Sequence, residues 1–115
     1  MANGIIIPED LDIYSDDVET FIGYCGNKKL YRIFHEFGAV SANTDTVVLN
    51  HSTTFDGIDV ISLTGVGYQS DGSDVTLGHY YDASNNSALW FNNKRIFVRT
   101  SKAYTKGYIT MIYAK

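Results

Sequence analysis

The sequence holds one cysteine (Cys25), one proline (Pro8) and one tryptophan (Trp90). A lone cysteine closes no internal disulfide and builds no cysteine metal motif, so Cys25 is expected to serve as a small buried hydrophobe. One proline against ten glycines leaves many turns and few rigid breaks. No run approaches the ~18 continuous apolar residues of a membrane-spanning helix, and no membrane insertion is expected. Positive charge is sparse: nine Lys and Arg within a net charge of -4, gathered only as Lys28-Lys29 and Lys94-Arg95. Nucleic-acid binding needs a clustered basic face, and this chain offers none. The opening Met1-Ala-Asn-Gly-Ile-Ile-Ile-Pro-Glu-Asp10 lacks the basic and long apolar regions of a secretion signal, which predicts folding in a reducing cytoplasm. Helical periodicity is also missing from every window long enough to make a helix.

What the chain has in surplus is aromatic and β-branched residues. Nine Tyr, six Phe and the one Trp make the aromatic content 14% of 115 residues, enough chain for one domain. Such residues favour a pleated, half-buried surface. Strand patterns fall at 20–25, 29–37, 44–49, 58–69, 74–81, 88–91, 94–100 and 107–113, separated by Gly, Asn and Asp turns. Seven or eight short strands at this spacing predict an all-β antiparallel sandwich, jelly-roll or Ig-like, over residues 14–115. Residues 1–13 read as an arm: Ile5, Ile6 and Ile7 are apolar and suit docking on a neighbour, and Pro8 separates them from an acidic stretch.

Local chemistry sharpens this outline. Gly26-Asn27 between two strand runs fits a type II′ hairpin, and Asn92-Asn93 fits a second tight turn. In the 29–37 run, Tyr31, Ile33, His35 and Phe37 form the more apolar set and are expected to face the core. Gly65 and Gly67 share one strand face, which suggests a bulge or a large side chain laid over bare backbone. The 107–113 run is apolar on both faces, as suits a strand covered on both sides by its own core and by a partner, so Tyr108 and Tyr113 are assembly candidates.

The residues do not assemble a reaction centre. His35, His51 and His79 fall in three elements, and no motif sets any of them beside a nucleophile. Asp71-Gly-Ser-Asp74 lacks the ligand alternation and closing Glu of a calcium loop, and the glycines make no phosphate-binding pattern. No catalytic role, metal or cofactor is expected; a small accessory hydrolase is the weaker alternative, and it would need a carboxylate pair facing a cleft. His79, Tyr80, Tyr81, Asp82 and Trp90 do place rings and a carboxylate around one polar loop. Rings that stack on sugars, with an acid to bond hydroxyls, would make a glycan site; the alternatives are core and a contact with another chain.

Asp16-Asp-Val-Glu-Thr-Phe-Ile-Gly-Tyr-Cys-Gly-Asn-Lys-Lys-Leu-Tyr-Arg-Ile-Phe-His-Glu-Phe-Gly38 resembles the opening of a β module found at the C-termini of tailed-bacteriophage fibre, spike and minor structural proteins. Asp59-Val-Ile-Ser-Leu-Thr-Gly-Val-Gly-Tyr68 resembles its central strand. Arg95–Thr100 and Ala103–Lys115 are similar to its closing hairpin, which ends Tyr-x-Lys. Tyr24 and Cys25 stand where such modules commonly have Trp. The resemblance covers residues 14–115 and implies a virion structural role without catalysis: a tail fibre, tail-tip or capsid-decorating component, assembled with other virion proteins. A homo-oligomer, expected as a trimer, and adhesion to a host surface, with its glycans as candidate ligands, go with that reading.

Overall fold

The computed structural model describes residues 17–115. The arm, with Ile5, Ile6 and Ile7, lies outside the described residues. Among the described residues there are nine strands and no helix: β1 (Thr20–Cys25), β2 (Lys28–Phe37), β3 (Thr46–Asn50), β4 (Asp59–Tyr68), β5 (Asp74–Thr76), β6 (Tyr80–Asp82), β7 (Asn85–Asn92), β8 (Arg95–Thr100) and β9 (Lys106–Ala114). They make two antiparallel sheets, ordered β1-β2-β9-β4-β5 and β3-β8-β7-β6. The chain is an all-β sandwich. β2 pairs with β9 in one sheet and β3 with β8 in the other, so early and late strands lie side by side in both layers; β5 and β6, the short strands between, fall at the edges.

The turns follow backbone chemistry. Gly26 has φ +62 and Asn27 has no positive φ, and Cys25 pairs with Lys28, as a type II′ hairpin requires. The second turn sits one residue later than the Asn92-Asn93 pair suggests. Asn92 pairs with Arg95, while Asn93 (φ 50) and Lys94 (φ 64) are the central residues of a type I′ turn. Side-chain pairing selects this register. It sets Phe91 beside Ile96, Leu89 beside Val98 and Trp90 beside Phe97, whereas a turn at Asn92-Asn93 would put Phe91 against Lys94 and Val98 against Ser87.

The 74–81 run is two strands, not one. Gly78, at φ 78, carries the chain from the edge of one sheet to the edge of the other between β5 and β6. The polar Asn85-Asn86-Ser87 segment is strand, not loop, because its side chains have partners. Asn86 Nδ2 donates to the carbonyls of Asp82 (3.0 Å) and Ala83 (3.2 Å), and Ser87 Oγ accepts from Gly78 N–H (3.0 Å). Cys25 is exposed, contrary to expectation. It ends the edge strand β1 beside the Gly26-Asn27 turn, where no second strand of the described residues flanks it on the outer side.

The core lies between the sheets. Ile33 and Phe37 of β2 and Ile109, Met111 and Tyr113 of β9 meet Leu49, Ile96 and Val98 from the opposite sheet. The expected inner face of β2 is the observed one. Four core residues come from connections: Val40, Phe55, Leu77 and Tyr104. Val40 and Tyr104 exchange backbone hydrogen bonds of 2.9 Å, which tie the 38–45 and 101–105 loops together. Phe55 packs edge-on against Tyr113 (5.7 Å) and Phe91 (5.7 Å).

Gly67 and Gly107 sit directly opposite each other on β4 and β9. A Cβ at Gly67 would strike the Tyr104 ring, and one at Gly107 would strike the Phe37 ring and lie 2.6 Å from the Val66 carbonyl oxygen. Two rings thus press on adjacent bare backbones, the one at Gly67 as the glycine spacing in β4 suggests. The bulge in β4 is elsewhere, between Val60 and Ser62.

Tyr113, expected at a partner interface, is wholly buried in this chain's own core. Its hydroxyl donates to Glu19 Oε2 (2.5 Å), which Lys115 Nζ also approaches at 2.8 Å. Burial, then the bond to Glu19, pushes the Tyr113 phenol far up; burial likewise raises Tyr104. The Tyr113 phenol keeps its proton when folded at a pH where unfolded tyrosine, near 10, has lost its own. The unfolded state then binds fewer protons, so stability complete below about pH 10 falls above it, by about 1.4 kcal/mol per pH unit for Tyr113, and the raised Tyr104 acts in the same direction. Urea midpoints measured from about pH 9 to about pH 11 should show this decline, and Tyr113→Phe should flatten it. An identical slope in that variant would rule the cause out.

Candidate functional site

The aromatic loop region is built by the crossing between sheets. Leu77, buried, donates its N–H to the Gly65 carbonyl (2.9 Å) and fixes the last residue on the β5 side. After Gly78, the His79 carbonyl accepts from Ser87 N–H (2.9 Å), so His79 is held at the start of the opposite sheet. The His79 and Tyr81 rings lie 4.9 Å apart at 38°. Tyr80 is 71% and Tyr81 54% exposed, so both rings face solvent and neither is core.

Asp82 is committed to the turn that follows. Its Oδ1 accepts from Ser84 N–H (2.8 Å) and Ser84 Oγ (2.9 Å). Those bonds, the hydroxyl's first, hold its carboxyl below the usual carboxylate range.

Trp90 stands apart. Tyr80 pairs with Asn86, and Trp90 lies four residues farther along β7 on the same face, about 13 Å away at strand rise. It stacks on Phe97 at 5.3 Å and 5°, and Val47 pairs with Phe97 on the neighbouring strand. The outer face of the four-stranded sheet therefore carries a Trp90–Phe97–Val47 stripe, with Tyr80 at one end of the same face. The structure brings His79, Tyr80, Tyr81 and Asp82 together and leaves Trp90 on a separate platform. Of the assembly candidates, Tyr108 is half-buried on the outer face of the five-stranded sheet, and Tyr113 is core.

Two features had no signal in the sequence. Asp17 Oδ1 lies 2.6 Å from His35 Nδ1 and 3.9 Å from His51 Nε2, so two histidines from separate elements converge on one carboxylate. No short-range spacing links these three positions. The other is a stretch of exposed apolar side chains along the β1 edge: Phe21 (49%), Ile22 (39%) and Tyr24 (68%). Among the described residues, no group of three or more His, Cys, Asp or Glu could hold a metal ion, and no helix is long and apolar enough to cross a membrane. No family model, no curated protein and no solved structure matches the chain.

Proposed function

We propose that this chain is a bacteriophage virion structural protein, a tail-fibre, tail-tip or capsid-decorating component, that acts by protein–protein assembly. The observation that carries the assembly reading is β1. It is an edge strand with no neighbour on its outer side among the described residues, and it exposes Phe21, Ile22 and Tyr24. Phe21 packs edge-on against Tyr24 at 5.3 Å and Tyr31 at 6.0 Å, so the exposed rings continue an aromatic row that leads into the core. Proteins ordinarily blunt a sheet edge with charge, proline or a cover, because an apolar edge pairs with other chains. An edge left this apolar fits a surface that is covered on assembly. The resemblance to phage fibre and spike modules supplies the setting: other virion proteins and further copies of this chain, with a trimer as the expected stoichiometry.

Light scattering at micromolar concentration tests this. The wild-type chain should be oligomeric, and Phe21→Lys/Tyr24→Lys should be a folded monomer. Two central aromatics together contribute about 4 kcal/mol, roughly a thousandfold in association constant. A wild-type chain that stays monomeric would defeat the reading.

A second reading, host-glycan binding, is favoured by one observation: Tyr80 and Tyr81 are solvent-facing rings beside His79, not core. The discriminating arm is Tyr80→Ala/Tyr81→Ala. Loss of glycan binding with the fold and oligomer intact supports adhesion through these rings, and unchanged binding removes them from it.

A further inference from the structure

The outer face of the five-stranded sheet is not an ordinary wet face. Phe34 of β2 stacks on Tyr108 of β9 (5.6 Å, 20°), and Tyr68 of β4 meets Tyr108 edge-on (6.0 Å, 87°). With Thr64, Val66 and Thr110 these rings line an open groove of about 480 Å³. Phe34, Val66, Tyr68 and Tyr108 are half-buried, and Arg32, beside Phe34 on the same face, is only 6% exposed. A sheet with one solvated face alternates cleanly between apolar and polar, and this face does not.

The chain reaches the described fold beside this groove. Asp17 N–H donates to the Phe34 carbonyl at 2.7 Å, and Asp17 Oδ1 sits 2.6 Å from His35 Nδ1. These two contacts hold Asp17 alongside β2, next to a residue that lines the groove. Ten positions upstream is Ile7, the last of the Ile5-Ile6-Ile7 triplet. Ten residues can span up to about 33 Å. The path from the β1 position across β2 and β9 to β4 is three strand spacings, about 14 Å. The triplet therefore reaches the groove with slack, and attachment to the same chain delivers it at an effective concentration in the millimolar range. β-branched residues in extended conformation suit a pleated surface that already presents rings and a valine.

From these observations we infer that the groove is a docking site for the chain's own Ile5-Ile6-Ile7 segment. The occupant is this chain, not a second copy, because the tether starts one strand away from the groove's Phe34 wall. The edge strand β1 is then left for partners, while the face of the same sheet is closed from within. This inference does not depend on the virion reading and can fail separately from it.

Crosslinking tests it in a Cys25→Ser background. The exposed groove residue Thr64 is changed to cysteine together with Ile6→Cys. The control joins Ile6→Cys to Ala88→Cys, exposed on the outer face of the other sheet. Under mild oxidation of dilute protein, the Thr64 pair should close an intramolecular disulfide at least about tenfold faster than the control. Equal rates, or disulfides formed mainly between chains, would overturn the inference. Thermal melting of the reduced variants confirms their fold. A second measurement needs no cysteine: Ile5→Ser/Ile6→Ser/Ile7→Ser should bind the apolar dye anilinonaphthalene sulfonate severalfold more brightly than wild type, and unchanged fluorescence would also overturn it.

Discussion

Gly67→Ala is expected to lower the melting temperature by about 12 °C, a larger effect than a single added methyl group usually has. The new Cβ would lie 3.1 Å from Tyr104 Cγ and closer still to two other ring atoms. Tyr104 cannot swing away: it is 3% exposed and its backbone is bonded to Val40 in both directions. Nor can β4 shift, because Gly67 pairs with Gly107, over which the Phe37 ring lies. Overpacking of this kind costs about 3 kcal/mol, and for a domain near this size about 4 °C is lost per kcal/mol. Gly38→Ala is the control. No atom lies within 4 Å of its Cβ position and its φ is not positive, so the loss of backbone freedom in the unfolded chain should leave stability unchanged or slightly raised. Combining Gly67→Ala with Tyr104→Ala should cost less than the sum of the two, because the ring that clashes is gone. Strict additivity in that cycle would mean that the glycine is required for some other reason.

The same pair of glycines shows what can be read from one strand and what needs two. Gly65 and Gly67, two apart on one strand, suggest a bare surface under something large, and that is correct for Gly67. The identity of the cover is a tertiary fact. Tyr104 lies in a loop whose sequence, Ser101 to Thr105, has no apolar periodicity, and Phe37 reaches Gly107 because β2 pairs with β9. The core residues Val40 and Phe55 were illegible for the same reason. Each is a single hydrophobe among small or polar neighbours, and periodicity is a property of runs. Strand existence was legible nearly everywhere, since alternation and turn residues act locally. The exception, 74–81, reads as one continuous strand because β-propensity does not register which sheet a strand joins. Gly78 marks the change only once its φ is known.

The candidate site divides along similar lines. His79, Tyr80, Tyr81 and Asp82 are close in sequence and remain close in space, and exposure then decides between core and surface for the two tyrosines. Trp90 is near them in sequence, but a strand carries it about 13 Å away, and its ring is stacked on Phe97. Asp82 looked like a ligand for hydroxyls and instead caps its own turn, a local competition that Asp-x-Ser sequences permit. The Asp17–His35–His51 convergence could not be seen at all, because it is made by the approach of three elements far apart in the chain.

Removal of Gly107–Lys115 should abolish cooperative folding. β9 is the central strand of its sheet, paired along its length with β2 on one side and β4 on the other. Without it the sheet falls into two fragments, β1-β2 and β4-β5, each a ribbon of two strands with no stable existence in water. The deletion also takes Ile109, Met111 and Tyr113, all 0% exposed, from the middle of the core. A single large-to-small change at such a site costs about 2–5 kcal/mol, and three together match or exceed the roughly 5–15 kcal/mol that holds a domain folded. The truncated chain should show no unfolding transition in circular dichroism, where Met111→Ala keeps a transition at lower temperature. A peptide of residues 106–115 added to the truncated chain should restore strand signal, because β9 is held by backbone bonds to β2 and β4 that an added strand can make again. A truncated chain that still melts cooperatively would mean that β2 and β4 can pair without β9, and that the apolar outer and inner faces of this strand serve something other than the fold.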